Sequence, residues 1–342
     1  MPAIPIHVLT GFLGAGKSTL LGQAVHEPEM ARALVIVNEF GDVGLDHLLV
    51  ARGNDDTVLL DSGCLCCAGT DLGDTLMLLL ARRDRGEIVG FDRVVVETSG
   101  LADPGPVLLP ILANPFIRRH FSYGGMTAVV DGLLAAQQMA AHAEARRQIA
   151  LAEHLVVSKL DLCNGDERRR TIDAVRALNP AASLVESPVA GQRATQALGF
   201  ARDEARAAAP SVSRRPVQCP LIQRPLIQSQ LEQPAADETC EHSHGFWSRS
   251  FRSIPPVDWE RYACWQQALR MMDGQRLART KGILRFDDGT LRVIQGVRHV
   301  FAPPAIYEGP PTDPFLVAIC HDLPAARLEQ AYRPLLAPGA TP

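Results

Sequence analysis

Three cysteines stand within four positions of one another in "LLDSGCLCCAGTDL", residues 59–72, just after a short apolar run. Cys64, Cys66 and Cys67 in that spacing point to thiolate chemistry with a soft or borderline cation, Zn²⁺ or Co²⁺. In a tetrahedral shell three thiolates leave one position for Glu39, Asp42, a histidine or water. C-x-C-C is tighter than the C-x-x-C of a zinc finger and has no second half downstream. An incomplete protein shell suits a metal that is passed on.

A second constellation names a nucleotide. In "GFLGAGKST", Gly11, Gly16, Lys17 and Ser18 fit G-x-x-x-x-G-K-[ST], directly after an apolar run and before a helical segment. The loop through Gly11, Gly14, Ala15 and Gly16 lets backbone N–H groups close on phosphate, Lys17 reaches the β- and γ-oxygens, and Ser18 offers a hydroxyl to Mg²⁺. "RVVVETSGLADP" puts Glu97 at a strand end as the acid that holds Mg²⁺ through water, with the N–H of Gly100 aimed at the γ-phosphate. Leu101 follows, and its side chain cannot orient water; slow turnover that needs a partner, a metal or a homodimer is the consequence. "SKLD" is similar to the guanine-reading N-K-x-D: Asp161 can accept from guanine N1–H and its amine, the stem of Lys159 lies along the ring, and Ser158 replaces the usual Asn. GTP is favoured over ATP. "NEFGDVGLD", Asn38 to Asp46, reads as a switch loop whose Glu39 and Asp42 approach Mg²⁺ or a second metal.

These residues need strand ends to carry them. Apolar runs at residues 4–9, 33–37, 57–60, 93–96, 126–130, 154–157 and 183–185 alternate with helical-period segments, which predicts α/β organisation with a mainly parallel sheet flanked by helices. Ligands in such sheets sit beyond the carboxyl ends of the strands, where every motif above falls. The expected domains are a P-loop NTPase domain at 1–190, a helix and Gln- and Pro-rich linker at 191–244, and a small α+β domain at 245–336. Within the linker, residues 191–215 read as one helix. Trp247, Trp259 and Trp265 are expected in the core of the small domain, and His142 and His321 as surface or capping residues. Cys163, Cys219, Cys264 and Cys320 are expected to be unligated thiols.

Composition closes off other classes. The 342 residues carry a net charge of -4 with both signs interspersed, so no basic stripe serves nucleic acid. No segment has the length and apolarity of a membrane span or the form of a secretion signal, and eight cysteines in no paired framework fit a reducing cytoplasm.

The motifs "GFLGAGKST", "NEFGDVGLD", "CLCC", "ETSGLADP", "SKLD" and "RTKGIL" occur in the order seen in CobW-like GTPases, a branch of the SIMIBI class of P-loop proteins, and the chain resembles that family from about Pro5 to Tyr332. The resemblance implies a zinc- or cobalt-binding GTPase that delivers metal to a client metalloprotein, with a CobW-type C-terminal domain for client contact. It implies Gly16, Lys17, Ser18 and Thr19 as phosphate and Mg²⁺ groups, Glu97 as the acid, and Cys64, Cys66 and Cys67 as metal ligands. Lys159 and Asp161 are then the guanine readers. Where relatives carry a His-rich run, this chain has only Cys240, His242 and His244. Two other classes use parts of the same sequence: a P-loop small-molecule kinase, and a non-catalytic zinc or redox sensor with bound nucleotide.

Overall fold

Runs such as "HVL" and "VVV" have no polar alternation, the mark of strands buried on both faces. In the computed structural model, which describes residues 3–37, 48–50, 58–60, 72–187, 193–200, 240–241, 246–272 and 276–336, they become the centre of a parallel sheet. The chain divides into two compact units, residues 1–207 and 208–342.

The first unit holds strands β1 (Ile4–Thr10), β2 (Ala33–Val37), β3 (Leu48–Val50), β4 (Val58–Leu60), β5 (Arg93–Glu97), β6 (Phe121–Asp131), β7 (His154–Ser158) and β8 (Ser183–Glu186) in the spatial order β4-β3-β2-β5-β1-β6-β7-β8. From β2 to β8 every pairing is parallel, whereas β3 is antiparallel to both β2 and β4. Two reversals leave β4 pointing the same way as β1. The helices are α1 (Lys17–Ala24), α2 (Leu72–Asp84), α3 (Gly105–Ala113), α4 (Pro115–His120), α5 (Ala135–Ala141), α6 (Ala143–Leu151), α7 (Gly165–Leu178) and α8 (Ala194–Ala197). Chain order reverses about β1, with β5 on one side and β6 on the other, so the crevice for a ligand opens at the end of β1.

The reading of residues 191–215 as one helix is corrected. Helix α8 covers only Ala194–Ala197; Gly199, at φ +75°, takes the left-handed conformation that stops a helix, and Phe200 turns into the core beside His7. Glu27 starts this short helix by accepting from the N–H groups of Ala194 (2.6 Å) and Thr195 (3.2 Å).

The second unit is an antiparallel sheet of β9 (Cys240–Glu241), β10 (Phe246–Arg252), β11 (Leu277–Arg285), β12 (Leu291–Val297), β13 (Val300–Phe301), β14 (Ala305–Ile306) and β15 (Phe315–His321), ordered β13-β12-β11-β15-β10-β9 with β14 on β12. Helices α9 (Trp259–Arg270) and α10 (Ala325–Leu336) pack together beside it. Trp265 and Tyr332 are fully buried in its core. Trp259 departs from expectation: it is 38% exposed, because it opens α9 at the surface and lies under the Arg292 guanidinium. Among the described residues no helix is long and apolar enough to cross a membrane.

Candidate nucleotide site

Strand β1 ends at Thr10, and the chain leaves it through Gly11 at φ +143°, where a Cβ would fall 2.2 Å from the carbonyl oxygen of Val129. Only glycine permits that approach to β6. The loop then enters α1 at Lys17, whose buried ammonium donates to the carbonyls of Gly11 (2.8 Å) and Phe12 (3.4 Å). A cation held on its own loop's carbonyls is placed to meet phosphate oxygens, which are stronger acceptors. No side chain caps α1, and Ser18 and Thr19 are exposed in its first turn.

Ser18 Oγ donates to Glu97 Oε1 at 2.7 Å, across 79 residues. Glu97 is buried at the end of β5, fixed there because Leu9 and Glu97 are register partners, Thr98 N donates to Leu9 O (2.9 Å) and the Thr98 hydroxyl donates to that of Thr10 (2.8 Å). A hydroxyl and a carboxylate converging beside the phosphate loop are the hard oxygen donors Mg²⁺ prefers. Ser18 would hold it directly and Glu97 through water, and the bound ion would draw charge from the β- and γ-oxygens. Gly100 lies against the same loop: a Cβ on it would sit 2.8 Å from Leu13 N. Leu101, next in the chain, is 51% exposed.

The base end is built from β6 and β7. Ser158 is buried; its Oγ donates to Ala15 O at 2.7 Å and lies 3.1 Å from Val130 O, tying the strand that carries "SKLD" to the phosphate loop. Lys159 has φ +56°, a conformation non-glycine residues rarely adopt. Its ammonium is 2.7 Å from Asp131 Oδ2, and that buried carboxylate also accepts from Leu133 N (3.0 Å) and Leu134 N (3.2 Å). A buried carboxylate has to be paired and hydrogen-bonded, and here three donors meet it. Asp161 is exposed on the single turn Leu160–Leu162. Helix α7 starts just beyond it with a capping box, in which Asn164 accepts from Glu167 N (2.9 Å) and Glu167 accepts from Asn164 N (3.0 Å).

The structure thus brings Gly11 to Thr19, Glu97, Gly100, Ser158, Lys159 and Asp161 to strand ends of one sheet. Cys64, Cys66, Cys67, Glu39 and Asp42 lie outside the described residues, as do Cys219, His242, His244 and the side chain of Cys240. Among the described residues no three His, Cys, Asp or Glu side chains gather as a metal site. Cys163 is half-buried; burial first, then the carboxylates of Glu167, Asp131 and Asp161, push its thiol up and keep it protonated. Cys264 and Cys320 are buried and free of disulfides. His142 is exposed ahead of α6 and stacks on Phe12 at 4.6 Å, and His321 is half-buried against Phe246 at 4.5 Å.

Two residues escaped the sequence reading. Asp131 had a signal, an acid followed by glycine at the end of an apolar strand. Gln148 had one too, an amide on the buried stripe of α6 with Ala145 and Ile149.

A model of the CobW/HypB/UreG nucleotide-binding domain matches residues 5–186, and one of the cobalamin synthesis protein cobW C-terminal domain matches residues 246–336. The chain is similar to the zinc chaperone YjiA of Escherichia coli, 36% identical over 169 residues that make up 49% of this chain and 53% of that protein. The match therefore spans about half the length of that relative. It is also similar to zinc-regulated GTPase metalloprotein activator 1 of Schizosaccharomyces pombe, 25% identical over 345 aligned positions, 90% of this chain and 78% of that protein. Among solved structures, Zn(II)-bound YjiA GTPase from E. coli shares the fold, with TM-score 0.66 and 23% identity over 98% of this chain and 99% of that one.

Proposed function

The chain belongs to the CobW/HypB/UreG nucleotide-binding family, and from that premise we propose that it is a cytoplasmic GTP-hydrolysing metallochaperone that carries Zn²⁺, with Co²⁺ as the alternative cargo, to a client metalloprotein. The observation that carries the reading is the convergence of Lys17, the Ser18–Glu97 pair and the Lys159–Asp131 pair at the carboxyl ends of β1, β5, β6 and β7. The two curated relatives, one named a zinc chaperone and the other a zinc-regulated GTPase metalloprotein activator, support the cargo and the activity.

In this reading Lys17 trades its loop carbonyls for β- and γ-oxygens, and the Gly100 N–H meets the γ-phosphate. Asp161 accepts from guanine N1–H and amine while the Lys159 stem lies along the ring. Catalysis is then mostly positioning and charge stabilisation. Leu101 supplies no group to orient water, so the intrinsic rate is slow and a client, the cargo metal or a homodimer accelerates it.

Cys64, Cys66 and Cys67 hold the cargo, with Glu39 or Asp42 at the fourth position. Support for their nearness to the phosphates comes from chain direction. Strand β4 points as β1 does, so Leu60 ends on the nucleotide edge, and Cys64 follows within about 14 Å of extended chain. Glu39 follows Val37, the end of β2, within about 7 Å of extended chain. Nucleotide state can move the metal only if the two states differ in metal affinity. A tenfold difference takes about 1.4 kcal/mol of coupling.

The test is a competition titration of Zn²⁺ and Co²⁺ on the reduced protein with Mg²⁺ plus a non-hydrolysable GTP analogue, with Mg²⁺ plus GDP, and without nucleotide. One ion per chain, bound more tightly with the analogue than with GDP, is expected. Equal affinity in all three states would refute delivery driven by GTP. The Cys66→Ala, Cys67→Ala double variant should lose tight metal binding and keep GTP binding; stoichiometric zinc retained by it would remove the cysteines from the site.

A further inference from the structure

Helix α6 carries one amide where an apolar side chain would complete its buried stripe. Gln148 is 1% exposed, and its Nε2 donates to two carbonyls of the loop after β5, Gly100 O and Ala102 O, both at 3.0 Å. Two carbonyl partners use both hydrogens of the amide and fix which way round it sits. Its Oε1 is buried without a hydrogen-bond partner among the described residues. A buried acceptor left unsatisfied opposes folding, so what favours an amide at this place is what its Nε2 holds, the two carbonyls of the loop.

The loop so clamped is the one that carries Gly100. On its other side Gly100 is pressed on the phosphate loop, a Cβ on it falling 2.7 Å from Leu13 Cδ2 and 3.0 Å from Leu13 Cα. Glycine leaves φ and ψ free, and a loop that must aim one N–H needs its neighbouring peptides held from outside. Fixing the carbonyls of Gly100 and Ala102 holds the peptides on the C-terminal side, leaving only the two dihedrals of Gly100 to set its own N–H. The same helical hairpin touches the phosphate loop, with the His142 ring stacked on Phe12 and Gln138 Nε2 3.5 Å from Leu13 O.

We propose that Gln148 is a positioning residue that holds the Gly100 loop for the terminal phosphate, so that preference for triphosphate over diphosphate depends on it. The proposal rests on the nucleotide reading above, and the phosphate count and the base are therefore tested separately. Affinities for GDP, a non-hydrolysable GTP analogue and their adenine counterparts are measured with Mg²⁺ on the full chain, for wild type, Q148E and Q148M, together with urea midpoints. Glutamate keeps the shape but faces carbonyls with a carboxylate; methionine keeps the length, carries no donor, and serves if Q148E does not fold.

The expected result is a loss of about tenfold in triphosphate affinity, about 1.4 kcal/mol, with diphosphate affinity held within about twofold. A urea midpoint that drops while the triphosphate-to-diphosphate ratio stays at its wild-type value makes Gln148 a packing residue and overturns the proposal. A wild type that prefers adenine nucleotides sinks the guanine reading instead, and the ratio still judges Gln148 with the adenine pair.

Discussion

The two units bury polar groups in different places. In the first, Glu97, Thr98, Asp131, Ser158 and Gln148 are buried at strand ends or against the loops beyond them, and each bonds across a long stretch of chain or to the loop that follows it. In the second, the buried polar groups lie inside an aromatic core: Thr280 Oγ1 meets Tyr332 OH at 3.1 Å, Gln266 donates to Tyr262 OH at 2.9 Å, and Tyr332 stacks on Phe251 at 4.1 Å. Burial pushes the Tyr332 hydroxyl and the Cys320 thiol up, so neither ionises in the working range. The first unit gathers the groups named for it at the carboxyl edge of its sheet, while Glu153 and Asn179 are buried at the opposite edge, where they bond to the backbone between elements. Polar burial at the carboxyl ends of parallel strands marks chemistry here, and the same burial within an antiparallel core marks packing.

The contrast predicts separable losses. Removing the buried cation, Lys17→Ala, should lower GTP hydrolysis by at least about 10²–10³-fold, the scale of losing one charged group at a developing phosphate charge. Unfolding of the second unit, followed by tryptophan fluorescence, should not move. If turnover survived within about tenfold, Lys17 would not be the phosphate cation and the strand-end pattern would lose its meaning.

The converse change is Trp265→Ala. Trp265 is fully buried, with Tyr332 at 5.4 Å and Phe301 at 5.2 Å between ring centres, and truncating it should cost about 3–5 kcal/mol of the second unit's stability in urea. Its indole N–H has no hydrogen-bond partner among the described residues, so Trp265→Phe should cost less than volume alone implies. Well below the unfolding midpoint, kcat for GTP should be that of wild type. A parallel fall in kcat would show that the aromatic core serves the nucleotide edge, and the division into chemistry and packing would fail.

The same division explains what the sequence let one read. Parallel strands buried on both faces are continuous apolar runs, so β1, β2, β5, β6 and β7 were legible, and so were the motifs that follow them; β4 and the half-buried edge strand β8 showed as shorter apolar runs. Strand β3 was not, because three residues, Leu48 to Val50, carry no period. Residues 191–215 read as one helix because alanine-rich text has high helix propensity, which the left-handed Gly199 and the burial of Phe200 override. Asp131 and Gln148 were hidden for a deeper reason: each acts on another functional group rather than on a ligand, and its partners, Lys159 and Gly100, are 28 and 48 positions away.

Each unit carries a close acid–base pair, and the two pairs differ in burial. Asp131 is buried and holds Lys159 at 2.7 Å; Asp288 is exposed and holds Arg292 at 2.8 Å. Asp288 accepts from the Thr290 hydroxyl (2.5 Å) and N–H (2.9 Å) in the turn between β11 and β12, and these bonds, with Arg292, lower its carboxyl from 3.8 to about 2. A depressed folded-state value means that the stabilisation is complete above the unfolded value near 3.9 and is lost as pH falls toward about 2. Asp288→Asn keeps the shape and abolishes the titration. The wild-type advantage in urea midpoint should therefore hold above about pH 4 and shrink below it. The effect should be slight, since solvent screens the pair and the Arg292 guanidinium is also held over Trp259 at 5.1 Å and Phe286 at 5.2 Å. An advantage that stays constant down to about pH 2 would place the source of any difference in the turn's backbone instead. Asp131→Asn, in contrast, loosens a lysine that no ring among the described residues covers, so its cost should appear in guanine affinity at neutral pH.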